Sequence, residues 1–268
     1  HCMRTRFTFD PLLRVGAALA ACTLAQAALA QSADQMNAAN NPLTPTIGVN
    51  LQNAYVARYY GLGGADSNAV LLRGTLPHQL SGAPLLLRAT LPVVTTPDVP
   101  GIDRHTGVGD LNLFDLFLFK EGTMQLGIGP QLTIPTASRD DTGTGKWQAG
   151  LAAVVIAPQA WGLTGGLVTW QRSFAGDKAR DDVDNLQAQP FLIVNLPKAW
   201  YLRSTATWTF DLSSGNYTIP IGLGAGKIWN AGGVTYNLFA EPQWTVSHKG
   251  NVSPQFQVFF GLNMQFPL

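Results

Sequence analysis

Gly122 to Ile134 reads GTMQLGIGPQLTI. Met124, Leu126, Ile128, Pro130, Leu132 and Ile134 form one set, and Thr123, Gln125, Gly127, Gly129, Gln131 and Thr133 the other. A strand sends alternate side chains to opposite faces, so this stretch is a strand with one oily face and one small, polar face. The same period runs through the rest of the chain. Near the C-terminus Phe256, Val258, Phe260, Leu262, Met264 and Phe266 alternate with Gln255, Gln257, Phe259, Gly261, Asn263 and Gln265. Tyr217, Ile219, Ile221, Leu223 and Ala225 alternate with Thr, Pro and Gly, and Val234 to Val246 repeats the arrangement.

The periodic runs are about 11 to 13 residues long, whereas a soluble strand usually has about 5 to 6 and a tilted membrane-crossing strand about 9 to 11. Twelve runs can be marked, roughly 47–60, 69–76, 84–94, 108–119, 123–134, 146–157, 162–173, 185–195, 200–211, 216–228, 233–246 and 255–268. Their connections alternate between short ones and more polar, mostly longer ones. Arg139, Asp140, Asp141, Asp177, Lys178, Arg180, Asp181, Asp182 and Asp184 fall in the longer set. Short turns at one end and longer loops at the other, with an even strand number, are the pattern of bacterial outer-membrane barrels. The expected fold is therefore all-β: a closed antiparallel transmembrane β-barrel of about 12 strands over 47–268.

Composition agrees. Only 12% of the 268 residues are charged and 46% are hydrophobic, against about 25% charged in an ordinary soluble domain. A net charge of +1 argues against a nucleic-acid partner. Two cysteines in so long a chain exclude a disulfide scaffold. Beyond residue 30, Gly, Pro, Asn, Gln or Thr interrupts every apolar run, so no stretch has the roughly 20 apolar residues of a membrane helix.

Residues 1–30 read as a signal peptide. Arg4, Arg6 and Arg14 precede an apolar stretch from Val15 to Ala25, and Ala28-Leu29-Ala30 fits a small-x-small cleavage site. Cleavage would remove three basic residues and Asp10, turning the formal +1 into −1, and would remove both cysteines. Leu19-Ala20-Ala21-Cys22 also resembles a lipobox, which leaves lipidation at Cys22 as a second reading. Residues 31–46, rich in Asn and Pro, read as a flexible N-terminal segment. Residues 47–60 read as a strand or as a plug in the lumen.

Tyr59, Tyr60, Trp147, Trp161, Trp170, Trp200, Tyr201, Trp208, Tyr217, Trp229 and Trp244 lie near strand ends. Amphipathic rings favour the membrane interface, so these read as girdles, with Trp147, Trp161, Trp170, Trp200, Tyr217 and Trp244 as the leading interface candidates. If the oily faces meet lipid, the other faces line the lumen. Hairpin closure brings Arg73 near Arg88 and Arg58 close to both, with Asp110, Asp211 and Glu241 as candidate partners and Arg203 as a further lumen candidate. One reading is a salt-bridge network that stiffens the barrel. The other is an eyelet selecting carboxylate, phenolate or other anionic solutes. Asp115 falls on the oily face with Leu113 and Phe117, where a bulge near Phe114 would re-aim it.

No enzyme, metal or cofactor is expected. His78, placed in a short turn, and His105 and His248, placed in outer loops, lack metal-ligand spacing. Gly107-x-Gly109 and Gly143-x-Gly145-Lys146 precede strands, where nucleotide-binding loops precede helices.

From Gly107 onward, an ordered series of short motifs runs along the chain. Gly107-Val108-Gly109-Asp110-Leu111-Asn112 comes first, followed by Gly127-Ile128-Gly129-Pro130 continuing to Ile134-Pro135-Thr136-Ala137. Then come Gly143-Thr144-Gly145-Lys146-Trp147, Ser173-Phe174-Ala175-Gly176-Asp177, Asn195-Leu196-Pro197-Lys198-Ala199-Trp200-Tyr201-Leu202, Gly224-Ala225-Gly226-Lys227-Ile228 and Gln265-Phe266-Pro267. Over about 69–268 the chain resembles the bacterial outer-membrane barrels of the MetA-pathway of phenol degradation, relatives of which often carry the label neuromedin U. The resemblance implies an outer-membrane barrel of a Gram-negative envelope with a transport role, and no established catalytic or substrate-binding residues.

Three functions follow as expectations. The first is an outer-membrane, porin-like channel or transporter for small solutes, aromatic or hydrophobic ones included. The second is a structural or surface-interaction barrel with a closed lumen. The third is a soluble exported β-sandwich or lipocalin-like binder. Expected partners are the lipid bilayer with lipopolysaccharide, the barrel-assembly machinery during insertion and a small-molecule solute.

Overall fold

The computed structural model describes residues 33–99 and 103–268. The signal peptide, its cleavage site and Cys22 lie outside the described residues.

The wall is one antiparallel sheet. Its first half comprises β1 (Ile47–Tyr60), β2 (Ser67–Leu80), β3 (Ala83–Thr95), β4 (Thr106–Val108), β5 (Leu111–Glu121), β6 (Met124–Ile134) and β7 (Lys146–Gln159). The second half comprises β8 (Gly162–Gly176), β9 (Asp184–Asn195), β10 (Trp200–Ser204), β11 (Trp208–Asp211), β12 (Asn216–Gly222), β13 (Gly224–Ala231), β14 (Val234–Lys249) and β15 (Ser253–Phe266). β1 pairs with both β2 and β15, and β15 also pairs with β14, so the sheet closes on itself. β4 with β5, β10 with β11, and β12 with β13 each form one interrupted stave, which gives twelve staves. Closure removes every edge strand, which lipid cannot hydrogen-bond. Residues 47–60 are a wall strand.

A strand of 14 residues, such as β1, is roughly 45 Å long. Tilted about 40°, it crosses the ~25 Å apolar band of an outer membrane with residues to spare. The short turns follow β2, β5, β7, β9 and β13, and both termini of the wall lie at that end. Ser81-Gly82 and Gly232-Gly233 close two of these turns with positive φ at both residues. That is the two-residue geometry whose twist matches the flanking strands.

Alternation places the side chains as the sequence requires. In β6, Gly127, Gly129, Gln131 and Thr133 are buried while Ile128 and Pro130 are exposed. The outward set continues around the wall through Leu51, Leu76, Leu151, Val168, Leu202, Ile221 and Leu238, each at least 40% exposed. So continuous an apolar belt is far larger than the patches soluble monomers expose. A sandwich would bury it between two sheets.

The expectation of a flexible segment over 31–46 is corrected over its described part. Residues 33–40 form a helix inside the short-turn end of the barrel. Met36, Ala39 and Leu43, all at most 5% exposed, pack into one cluster with Phe114, Leu116, Val154, Ile156, Leu163 and Ile193 from the wall. Twelve strands spaced 4.7 Å apart and tilted about 40° enclose a backbone radius of roughly 12 Å. Inward side chains leave an axial space about as wide as one α-helix. An unfilled apolar lumen at this end would forfeit those contacts.

Candidate functional site: the divided lumen

The lumen has three levels. At the short-turn end lies the plug. Its asparagines, which made 31–46 look unstructured, are its handles. Asn37 Nδ2 donates to the Gln159 carbonyl at 2.8 Å, and Asn195 Nδ2 donates to Asn37 Oδ1 at 2.9 Å. Asn41 Nδ2 donates to Gln125 Oε1 at 2.8 Å. Asn237 Nδ2 donates to the Ala39 carbonyl at 3.1 Å and to Asn40 Oδ1 at 3.0 Å. Met36, Ala39 and Leu43 recur at helical spacing, a signal for the plug that the reading of 31–46 as a flexible segment passed over.

Above it stands a buried polar knot. Glu241 is fully enclosed and accepts from Arg203 Nε at 2.7 Å, the Thr205 backbone N–H at 2.8 Å, Thr205 Oγ1 at 2.8 Å and Gln243 Nε2 at 3.1 Å. The Arg203 guanidinium lies 3.7 Å from the Phe239 ring centroid. This knot explains two interruptions of the wall. Thr205 turns its N–H from the ladder to Glu241, separating β10 from β11. A Cβ at Gly222 would lie 2.1 Å from Glu241 Oε1, so the break between β12 and β13 sits where the carboxylate enters. Tyr201 faces inward beside this knot, fully buried, with its hydroxyl donating to Asn237 Oδ1 at 2.5 Å. Its place among the girdle aromatics is corrected.

The third level is a chamber of about 290 Å³ opening toward the long loops. Thr169, Thr207, Gln187, Gln189 and Gln257 give it a neutral polar lining, and Leu71, Leu167 and Phe259 add apolar wall. Arg73 and Arg88 reach it from β2 and β3. Arg73 stands opposite Thr90, and Arg88 opposite Thr75, so the two are diagonal neighbours on the inner face. Arg73 Nη1 donates to Gln52 Oε1, and Arg88 lies 5.3 Å from the Phe114 ring centroid. The Nε atoms of both are buried without a partner among the described residues.

The structure thus brings Arg73 and Arg88 together and keeps the other candidates apart. Arg58 points outward. A register shift between Val56 and Arg58 puts Arg58 opposite Phe256, and its guanidinium lies 5.6 Å from that ring's centroid. A bulge of this kind was invisible to strict alternation. Asp110 accepts from Thr144 N at 2.7 Å and Thr144 Oγ1 at 2.8 Å, pinning the loop over 135–145. Asp211 accepts from the Ser213 and Ser214 backbone and the Ser214 hydroxyl, closing its own turn. Of the three expected acidic partners, only Glu241 pairs with an arginine of the lumen, and that arginine is Arg203.

Among the aromatics, Trp161 and Trp200 are exposed at the short-turn end, and Trp147, Trp170 and Trp244 toward the long-loop end. Tyr217, half-buried, accepts from the Ser247 hydroxyl on the neighbouring strand at 3.4 Å.

Asp115 stays on the outer face. The register is the same on both sides of it, with Phe114 opposite Gln131 and Phe117 opposite Ile128, so no bulge turns it inward. Its partner is His78, which lies on β2 rather than in a turn and faces outward with Leu76 and Leu80. Nε2 of His78 lies 2.9 and 3.0 Å from the two Asp115 oxygens, across β3. An unpaired carboxylate facing lipid is costly. His78→Leu is therefore expected to destabilise the barrel by on the order of 2 kcal/mol, and the double variant with Asp115→Leu to recover most of the loss. Unfolding by urea in lipid vesicles checks this; a double variant no better than the single would defeat it.

The long-loop end carries its own clasps. Arg104 donates to both oxygens of Asp66 at 2.8 and 3.0 Å, and His105 Nδ1 lies 2.6 Å from Asp141. Lys146 Nζ donates to Asp182 Oδ1 at 3.0 Å. That hydrogen bond, with a second from Ser173, holds the Asp182 carboxyl below the usual carboxylate range. A lowered folded pKa gives a contribution that is present above the unfolded value of about 3.9 and is lost as pH falls through the folded one. The loop over 177–183 should keep its hydrogen-exchange protection from pH 7 down to about 4 and lose it in stronger acid. Loosening already between pH 6 and 5 would count against the clasp.

Compared with solved structures, the chain is similar to an outer membrane channel from Pseudomonas putida F1. The TM-score is 0.62 at 18% identity, over 82% of this chain and 95% of that one. It also aligns with the KdgM porin solved in complex with disordered oligogalacturonate, at a TM-score of 0.46 and 8% identity, over 82% of this chain and 99% of that one. No protein-family model matches the chain, and no curated protein matches it. The first likeness shows the fold: a closed outer-membrane-type β-barrel of twelve staves.

Proposed function

We propose that the protein is an outer-membrane channel that admits small solutes from the long-loop side into the polar chamber and is closed toward the periplasm by its own N-terminal segment. The observation that carries this reading is the division of the lumen. A solvated, polar half ends on the Arg203–Glu241 knot, and an apolar half is filled by residues 33–46 rather than by wall side chains alone. A barrel built only as a scaffold could fill its lumen from the wall, as eight-stranded barrels do. Here the filling is a separate segment docked by the apolar contacts of Met36, Ala39 and Leu43 and by side-chain hydrogen bonds that can be exchanged for water.

The outward apolar belt and the tryptophans at both ends support residence in the outer membrane with the short turns in the periplasm. The motif order supports placing the chain with the MetA-pathway of phenol degradation barrels. The closed-lumen reading is favoured by the burial of Met36, Ala39 and Leu43 against the wall, and planar-bilayer recording separates the two. Conductance that rises when residues 33–46 are removed supports a channel. Silence from both the full and the shortened chain would leave the closed barrel.

A further inference from the structure

Two guanidinium groups on adjacent strands, both in the lumen, repel one another, and in a partly desolvated space the repulsion is costly unless an anion lies between them. Among the described residues neither Arg73 nor Arg88 is in a salt bridge. The expected carboxylate partners are engaged elsewhere, Glu241 with Arg203, Asp110 with Thr144 and Asp211 with Ser214, and Asp115 faces outward to His78. The barrel thus holds two cationic forks with unused, buried Nε donors at the edge of the chamber.

We propose that this chamber is a binding site for a small organic carboxylate, bridged by Arg73 and Arg88. The planar guanidinium matches a carboxylate through paired donors. The lining selects the rest of the ligand. Leu71, Leu167 and Phe259 supply apolar surface for a compact carbon body, and the Thr and Gln side chains supply neutral polar contacts. A bare inorganic anion would leave that apolar surface wet. A neutral apolar solute would leave both guanidinium groups unpaired. The inference rests on the proposal that the chamber receives solute, and it names the class.

The test is equilibrium binding to the full chain in nanodiscs, with empty discs subtracted, followed by ligand-observed NMR with butyrate, 1-butanol and inorganic phosphate. Butyrate should bind at least about tenfold more tightly than either of the others. Arg73→Gln and Arg88→Gln should each weaken butyrate by roughly tenfold or more, the usual loss when a hydrogen bond to a charged group is removed. Arg172→Gln, at an exposed strand end, should leave it unchanged. Should a Gln variant fail to fold, as judged by heat-shifted gel mobility, Arg73→Lys and Arg88→Lys take its place. They keep the charge and lose the fork, and should still weaken butyrate several-fold. Butyrate binding equal to that of 1-butanol, or unaffected by the arginine variants, would overturn the site. Phosphate binding as tight as butyrate would overturn the carbon-body requirement. Butyrate binding with silent bilayers keeps the site and defeats the channel, whereas conductance without butyrate discrimination does the reverse.

Discussion

In planar bilayers, the chain lacking residues 33–46 is expected to show a steady conductance several-fold above that of the full chain. The wall does not depend on the segment for closure, because β1 is paired on both sides by backbone bonds to β2 and β15. Removing the segment empties an axial space about one helix wide and leaves Asn37's and Asn41's partners, Gln159, Asn195 and Gln125, to water. Solvated donors and acceptors cost little to leave unpaired; the loss falls on the apolar contacts of Met36 and Leu43, worth about 1.5–3 kcal/mol each when fully buried. The shortened barrel should therefore be less stable yet still folded. Met36→Asp and Leu43→Asp give an independent route, since a carboxylate in that apolar cluster undocks the segment without shortening the chain. Unchanged conductance in the deletion and in both point variants would sink the plug as a gate.

Glu241→Ala should destabilise the barrel by about 3–5 kcal/mol, the range for removing one partner of a buried ion pair. Arg203, 8% exposed and packed on Phe239, would keep its charge with no carboxylate to meet it. The Thr205 backbone N–H, already withdrawn from the ladder, would lose its acceptor as well. Glu241→Gln retains the shape and one acceptor oxygen, so its cost should be smaller. Replacing both residues, as Arg203→Met with Glu241→Leu, removes the uncompensated charge and should recover much of the loss. Unfolding midpoints in detergent or vesicles decide this. A Glu241→Ala barrel as stable as the unaltered chain would show that the knot is not what holds the broken staves together.

The wall was legible because a strand's period is a local property. The face of Ile128 or Gln131 follows from its neighbours in the chain, and the loop lengths follow from where the period lapses. Arg73 and Arg88 were placed together by the same reasoning, since a hairpin turn fixes the register of adjacent strands. Arg58 was misplaced because one shifted residue reverses a side chain, and nothing in 53–60 marks the shift. Asp115 was expected to need a bulge because its partner, His78, comes from a strand two places away.

By itself the sequence determined a closed barrel of twelve staves, oily outside and polar within, because alternation and turn spacing are written residue by residue. It determined the diagonal arginine pair for the same reason. Only the tertiary structure decided what fills the lumen. The helix over 33–40 docks against strands up to 265 in the chain, Glu241 takes donors from 203 and 205, and the acids meet partners other than Arg73 and Arg88. Those contacts depend on which inward faces meet across the barrel axis, and that distance has no counterpart along the chain.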